Sequence, residues 1–197
     1  MLIGASSAAL AADDQPVFEI TPYGGYRFGG TFDVQDSEDT WDIDDSSSFG
    51  LILNLRESVN TQWELIYSQQ DSAARLNSAS QPASQIDIDV QLLQIGGTYQ
   101  WEGDRIRPYL AATLGGTRLS TPSDNDTFFS GSIGLGLQIM PASRVGIRLE
   151  ARAWGTLMQS DTDIFCRTGP EQNLCAVRVD GKVLGQVETI AGVVFRF

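Results

Sequence analysis

The last sixteen residues, Lys182 to Phe197, read KVLGQVETIAGVVFRF and end on an aromatic residue. Counting back from Phe197 in twos gives Phe195, Val193, Ala191, Thr189, Val187, Gly185 and Val183, while the other register holds Arg196, Gly192, Glu188 and Gln186. Period-two alternation of this kind marks a strand with unlike faces. An unbroken apolar row backed by a row that carries charge suits a wall with lipid on one side and a polar lumen on the other.

The rest of the chain repeats the pattern. A first strand over Phe18 to Phe28 sets Phe18, Ile20, Pro22, Gly24, Tyr26 and Phe28 against Glu19, Thr21, Tyr23, Gly25 and Arg27, and Pro22, having no N–H, needs a bulge or an unpaired position. A second runs through Phe49, Leu51, Leu53 and Leu55 with Asn54 and Arg56 opposite, and a third has Trp63, Leu65 and Tyr67 facing out and Gln62, Glu64 and Ser68 facing in. The fourth opens with Ile86, Ile88, Val90 and Leu92 as its apolar row, but Leu93 and Ile95 break the phase and imply a bulge. A fifth strand carries Pro108, Leu110, Ala112 and Leu114 outward. The sixth carries Ile133, Leu135, Leu137 and Ile139 outward over small inward residues, and the seventh carries Val145, Ile147, Leu149 and Ala151 outward over Arg148, Glu150, Arg152 and Trp154. Long polar connections are read at Thr31 to Ser47, Gln69 to Gln85 and Thr156 to Arg178, with a shorter one at Thr121 to Thr127. Tight turns fall after strands two, four and six, and Asp180-Gly181 is a hairpin signal ahead of the last strand. The expected fold is all-β: an eight-stranded antiparallel up-and-down transmembrane β-barrel with long external loops and short periplasmic turns. Alternation alone leaves open a soluble lipocalin-like barrel, which would turn the apolar row inward and bind a ligand there.

Composition narrows the function. The chain has 197 residues, one domain's worth, and no apolar run long enough for a transmembrane helix. A formal charge of -12 makes nucleic acid an unsuitable partner, since phosphate binding needs clustered bases. There is no histidine, which removes the usual general base and the commonest metal ligand. The first residues, MLIGASSAALAA, are small and apolar, and Ala9-x-Ala11 ahead of Asp13-Asp14 looks like a signal-peptidase site. Residues 1–11 are read as a signal-peptide remnant clipped at its start, and 12–197 as the barrel.

The ending Gly192-x-x-Phe195-x-Phe197 resembles the C-terminal signal by which bacterial outer-membrane barrels are recognised for insertion. With Tyr23-Gly24-Gly25-Tyr26-Arg27 and Arg107-Pro108-Tyr109, it makes the chain similar to the eight-stranded family that includes the OmpA transmembrane domain, OmpX and OmpW. The resemblance implies a monomeric integral outer-membrane protein of a Gram-negative envelope with both termini periplasmic. Its implied partners are membrane lipid and the barrel-assembly machinery, which would engage the C-terminal strand. A peptidoglycan-anchoring domain of the OmpA kind is not expected. The implied roles are envelope structure, adhesion or small-solute passage. Outer-membrane barrel enzymes that resemble palmitoyltransferases, lipid A deacylases or omptin proteases rely on a histidine that this chain lacks, so no catalytic residue and no cofactor is assigned.

The lumen of an eight-stranded barrel is just wide enough for side chains. The inward charges Arg27, Arg56, Glu64, Arg148, Glu150, Arg152 and Glu188 are therefore expected to pair and fill the bore, since an unpaired buried charge costs several kcal/mol. A gated ion path through the same network is the alternative. Ser130-Gly131-Ser132-Ile133-Gly134 lacks the first glycine of a nucleophile elbow, and Asp87 with Asp89 reads as a solvated rim rather than an acid–base pair. The acidic stretch from Asp36 to Asp45 lacks the glycine and terminal glutamate of an EF-hand loop, which leaves loose divalent binding as the most it offers. Cys166 and Cys175 enclose eight residues of one loop and, in an oxidising compartment, read as a disulfide; two thiols without further soft ligands make no metal site. Surface partners, if any, are expected to meet the external loops.

Overall fold

The computed structural model describes residues 18–29, 31–33, 40–77, 85–120, 125–142, 144–157, 163–168, 173–178 and 183–197; within these, 31–33, 40–43, 73–77, 85–87, 163–168 and 173–178 are described by backbone alone. Residues 1–11 and Asp180-Gly181 lie outside the described residues. Among the described residues twelve strands follow one another: β1 (Phe18–Phe28), β2 (Thr31–Asp33), β3 (Thr40–Ile43), β4 (Ser46–Arg56), β5 (Thr61–Asn77), β6 (Gln85–Gln100), β7 (Ile106–Ser120), β8 (Asn125–Ile139), β9 (Val145–Leu157), β10 (Asp163–Thr168), β11 (Asn173–Arg178) and β12 (Val183–Arg196). Eight of them, in the order β5-β4-β1-β12-β9-β8-β7-β6, close into a barrel through pairing of β5 with β6. Every neighbour in this ring is antiparallel. The seam between first and last strand runs to the chain end, where the Phe197 N–H donates to the Phe18 carbonyl at 2.9 Å.

The apolar rows face outward. Leu135 is 61% exposed and Phe49 54%, whereas Glu64, Arg152 and Glu188 are at 0%. A continuous greasy wall facing solvent would be prohibitive in water, and a lipocalin-like barrel would line its interior with the apolar row rather than with these charges, so that alternative is set aside. Aromatic residues gather outside at two levels. Tyr99 and Trp101, 5.3 Å apart edge to face, stand at the end with the tight turns, as do Trp63 and Phe197; Tyr26 and Phe28, 4.8 Å apart, stand towards the other end. Phe18 to Phe28 is eleven residues of tilted strand, or roughly 25 Å of height, which is the apolar band of a membrane barrel.

The fourth barrel strand corrects the sequence reading. β6 carries no bulge: its register with β5 runs unbroken from Thr61↔Tyr99 to Arg75↔Gln85, and with β7 from Asp89↔Ser120 to Gln100↔Tyr109. Ile88, Val90 and Leu92, expected to face out, are buried in the lumen, while Leu93 and Ile95 are the lipid-facing residues. The backbone keeps its phase and the surroundings change. Below Leu93 the outside is hydrocarbon, and above it the outside is water, so polar Asp89, Gln91 and Asp71 take the outer row and aliphatic residues the inner one. Leu119, Phe128 and Leu184 join that inner apolar storey.

The long connections also hold more strand than expected. Thr31 to Ser47 contains β2, β3 and the start of β4, and β3 extends the sheet by pairing Thr40–Ile43 with Ala74–Asn77 of β5. Strand also replaces much of the loop expected at Gln69 to Gln85, since β5 runs to Asn77 and β6 begins at Gln85; β8 already begins at Asn125; and Thr156 to Arg178 contains the β10–β11 hairpin. Pro22 keeps its place opposite Leu51 of β4, but the ladder to β12 skips Thr21 and Pro22.

Candidate functional site: the ion-paired lumen

Alternation on β9 turns Arg148, Glu150, Arg152 and Trp154 into one inward column. The neighbouring column on β8 is Ser130, Ser132, Gly134 and Gly136, and a Cβ on Gly134 would meet the Glu150 carboxylate and Arg152 Nε, while one on Gly136 would meet the Tyr109 hydroxyl. Small residues on one strand thus make the volume that long ones on the next strand occupy.

The centre of the bore is a ring of four alternating charges. Arg148 Nη2 stands 2.7 Å from Glu64 Oε2 and 2.8 Å from Glu150 Oε2; Arg152 stands 2.6 Å from Glu64 Oε1 through Nη2 and 2.5 Å from Glu150 Oε1 through Nε. Each arginine bridges both carboxylates, so the ring is neutral and closed on itself. Around it Tyr109 donates to Glu150 at 2.6 Å, Thr98 donates to Glu64 at 2.9 Å, and Asn54 accepts from Arg148 at 3.1 Å. The Arg148 guanidinium also lies over the Tyr109 ring, 4.4 Å from its centroid, an arrangement that strengthens where water is excluded.

A second pair lies nearer the loops. Arg27 Nη2 is 2.9 Å from Glu188 Oε2 and donates to Ser68 at 2.5 Å, while Trp154 Nε1 donates to Glu188 at 2.7 Å and Ser48 donates to its other oxygen. Trp154 separates this pair from the ring, with Arg27 and Arg152 both against its face at 5.1 and 5.4 Å. Gly25 leaves the room: a Cβ there would touch Ser48 and Glu188. A third pair, near the turns, joins Glu19 to Arg196 at 2.6 Å, with Gln138 donating to Glu19 at 2.8 Å.

Of the seven residues expected in the network, the structure places Glu64, Arg148, Glu150 and Arg152 in the ring and Arg27 with Glu188 above it. Arg56 stands half-buried at the turn end, opposite Gln62 and outside the ring. The Glu19–Arg196 pair was missed, although both residues fall in inward registers; their meeting depends on closure of the first strand on the last, which no local pattern displays. Phe195 and Phe197 face outward at the turn end, and Gly192 is inward, where a Cβ would press on the Pro22 carbonyl and the Tyr23 Cβ. Cys166 and Cys175 are direct partners in the β10–β11 register. Asp89 sits on the outer row beside Asp71, and the Asp87 side chain lies outside the described residues. Among the described residues no group of three His, Cys, Asp or Glu could hold a metal ion.

A closed eight-stranded barrel with a lipid-facing exterior, two aromatic belts and an ion-paired lumen defines an integral β-barrel membrane protein. The chain belongs to the outer membrane protein β-barrel domain family, whose profile matches residues 1–173. It is accordingly an outer-membrane protein, with its tight turns, the start of β1 and the end of β12 on the periplasmic side. Neisserial surface protein A is similar in fold, with a TM-score of 0.61 at 14% identity over 91% of this chain and 97% of that one. The N-terminal barrel domain of Pseudomonas aeruginosa OprF gives 0.50 at 15% identity, covering 93% and 98%, and the outer membrane protein AlkL, determined in lipid bilayers, gives 0.52 at 12% identity, covering 100% and 97%. No curated protein matches the chain in sequence.

Proposed function

We propose that this barrel is a non-enzymatic, monomeric scaffold of the outer membrane whose interaction surface is its loop end, and that its lumen is a plug. The observation that carries the reading is the Arg148–Glu64–Arg152–Glu150 ring, whose side chains are at most 4% exposed across a bore that has no width to spare. The loop end supports the other half of the reading: β3, the upper parts of β5 and β6 and the β10–β11 hairpin form strands beyond the membrane, on a rigid base suited to display.

Planar bilayer recording tests the plug. The purified barrel should give no steady conductance, and reproducible openings altered by Glu188→Ala or Arg152→Ala would replace this proposal with a narrow ion or solute channel. Removing residues 31–44 and 158–178, which spares β4 and β9, should leave a heat-modifiable barrel that has lost surface binding; a truncated protein that kept every adhesion and stress phenotype of the parent would reduce the role to membrane structure.

Three features complete the proposal. Residues 1–11 act as a signal-peptide remnant. Gly192, Phe195 and Phe197 serve as the insertion signal read by the assembly machinery. Cys166 and Cys175 form a disulfide: directly opposed residues of an antiparallel pair have Cα atoms about 4.5–5.5 Å apart, within the span of such a bridge. Closing a loop of about ten residues stabilises by about 2.7 kcal/mol on the chain-entropy model, most of it spent on ordering this hairpin. Cys166→Ser should therefore weaken surface binding while leaving heat-modifiability unchanged, and thiol titration of the unreduced parent should find no reactive cysteine.

A further inference from the structure

Seven of the eight joins in the barrel link strands that follow one another around the ring in chain order, so a connection helps to fix how they meet. The join of β1 to β12 has no connection. Its outer face discriminates little, because a slip of two residues exchanges one small or branched residue of β12 for another, and strands holding glycines, here Gly24, Gly25, Gly185 and Gly192, specify register weakly. It is also where the ladder breaks. Pairing runs through Glu19↔Arg196 and Ile20↔Phe195, lapses at Thr21 and Pro22 and resumes at Tyr23↔Gly192, whereas the other seven barrel ladders run unbroken among the described residues. Pro22 has no N–H to give, and β12 closes over the gap on Gly192, where a Cβ would lie 2.8 Å from the Pro22 carbonyl oxygen.

Two buried ion pairs flank this gap. Glu19 opposes Arg196 and Arg27 opposes Glu188 in the register itself, with N–O distances of 2.6 and 2.9 Å. Each strand carries its acid before its base at the same spacing, so the two strands match when antiparallel. A parallel meeting would set Glu19 against Glu188 and Arg27 against Arg196. A slip of two residues would set Arg27 against Ile190 or Gln186 and part Glu19 from Arg196. On its other edge β1 meets only neutral Asn54 and Ser46 at these two positions. Glu188 also stands opposite Arg152 of β9, but that arginine is held by Glu64 and Glu150, which leaves Glu188 to Arg27. No residue of the central ring lies on β1 or β12, so the seam pairs are a separate device.

We propose that Glu19–Arg196 and Arg27–Glu188 form a closure code, which selects the direction and register in which the first barrel strand zips onto the last. A misaligned closure buries like or unpaired charges in the lumen, and both are costly. The native closure pairs all four.

The test refolds the full-length barrel into lipid vesicles without assembly factors, reading closure by heat-modifiability and register by an oxidant-driven disulfide across the seam. Every variant carries Cys166→Ser and Cys175→Ser. Gly24 and Ala191 oppose each other on the outer face, and a Cβ at Gly24 meets nothing within 4 Å, so Gly24→Cys with Ala191→Cys reports the native register. Gly24→Cys with Thr189→Cys or with Val193→Cys reports a slip of two residues in either direction. With the native charges only the first combination should bridge. With all four seam charges changed to glutamine, slipped bridges should reach a yield comparable to the native one. Glu19→Arg or Arg196→Glu alone should lower the closed fraction by about tenfold, and the two together should restore it, since the pair is then reversed but intact. Gln138, which donates to Glu19 and accepts from Arg196, can turn its amide to serve the reversed pair. A glutamine-substituted barrel that bridges only in the native register, or a doubly reversed pair that closes no better than either single reversal, would overturn the proposal. The reversal series decides alone where the glutamine barrel does not close.

Discussion

Glu64→Gln should destabilise the barrel by about 3–5 kcal/mol, the usual cost of removing one partner from a buried ion pair. Glu64 is fully buried and is the shared acceptor of both ring arginines, at 2.7 and 2.6 Å. Its amide replacement leaves Arg148 and Arg152 facing each other across Glu150 alone, with a net positive charge locked in a bore of low dielectric. Neighbouring groups cannot absorb that charge, because Asn54, Thr98 and Ser132 offer only neutral partners. Urea unfolding in lipid vesicles, followed by the shift of the heat-modified band, measures the effect. Glu57→Gln, on an exposed turn where the carboxylate accepts from the Thr61 hydroxyl, should stay within about 0.5 kcal/mol. A Glu64 variant as stable as that control would mean that water reaches the ring, and the plug would fail with it. Conversely, converting the ring to apolar residues of matched volume should restore stability, which separates loss of charge balance from loss of packing.

The outward rows were readable because each barrel strand meets one solvent on each face, so period-two alternation maps directly onto lipid and lumen. The same rule misled on β6, where the outer solvent changes partway along. Ile88, Val90 and Leu92 carry the chemistry of a membrane-facing row and the position of a water-soluble core, and nothing within a single strand announces where hydrocarbon stops. The strands inside the acidic stretch were hidden for a related reason: Trp41 and Asp42 of β3 are held by backbone pairing with Leu76 and Arg75 of β5, more than thirty residues away. The lumen was half legible. Inward charge could be counted on each strand, but which charges meet depends on barrel stagger. That is why Arg148 and Arg152 of β9 reach across to Glu64 of β5, and why Glu19 finds Arg196 at the closing seam.

Leu135→Arg tests which side of the wall is which. Leu135 lies midway along β8, paired with Ala151 and Leu110 on the outer face and 61% exposed. An exposed leucine on a water-soluble barrel exchanges for arginine at a cost within about 0.5 kcal/mol. On a membrane barrel the guanidinium must be carried to the hydrocarbon midplane, which costs about 2–4 kcal/mol and falls to about 0–1 near either interface. A depth series makes the measurement self-checking. Leu135→Arg should be the most damaging, and Ile139→Arg on the same outer row, at the turn end of β8, should cost far less. Arg118, already on the outer row of β7 at the loop end, should tolerate exchange for leucine or glutamine. Equilibrium unfolding in vesicles reads all four variants. A flat profile along β8 would remove the lipid from the outer wall and, with it, the reason for the apolar rows; a profile that peaks at Leu135 locates the bilayer centre at the height of Ala151, beside the level of the Glu64–Arg152 ring, where water is scarcest and the pairing of those four charges matters most.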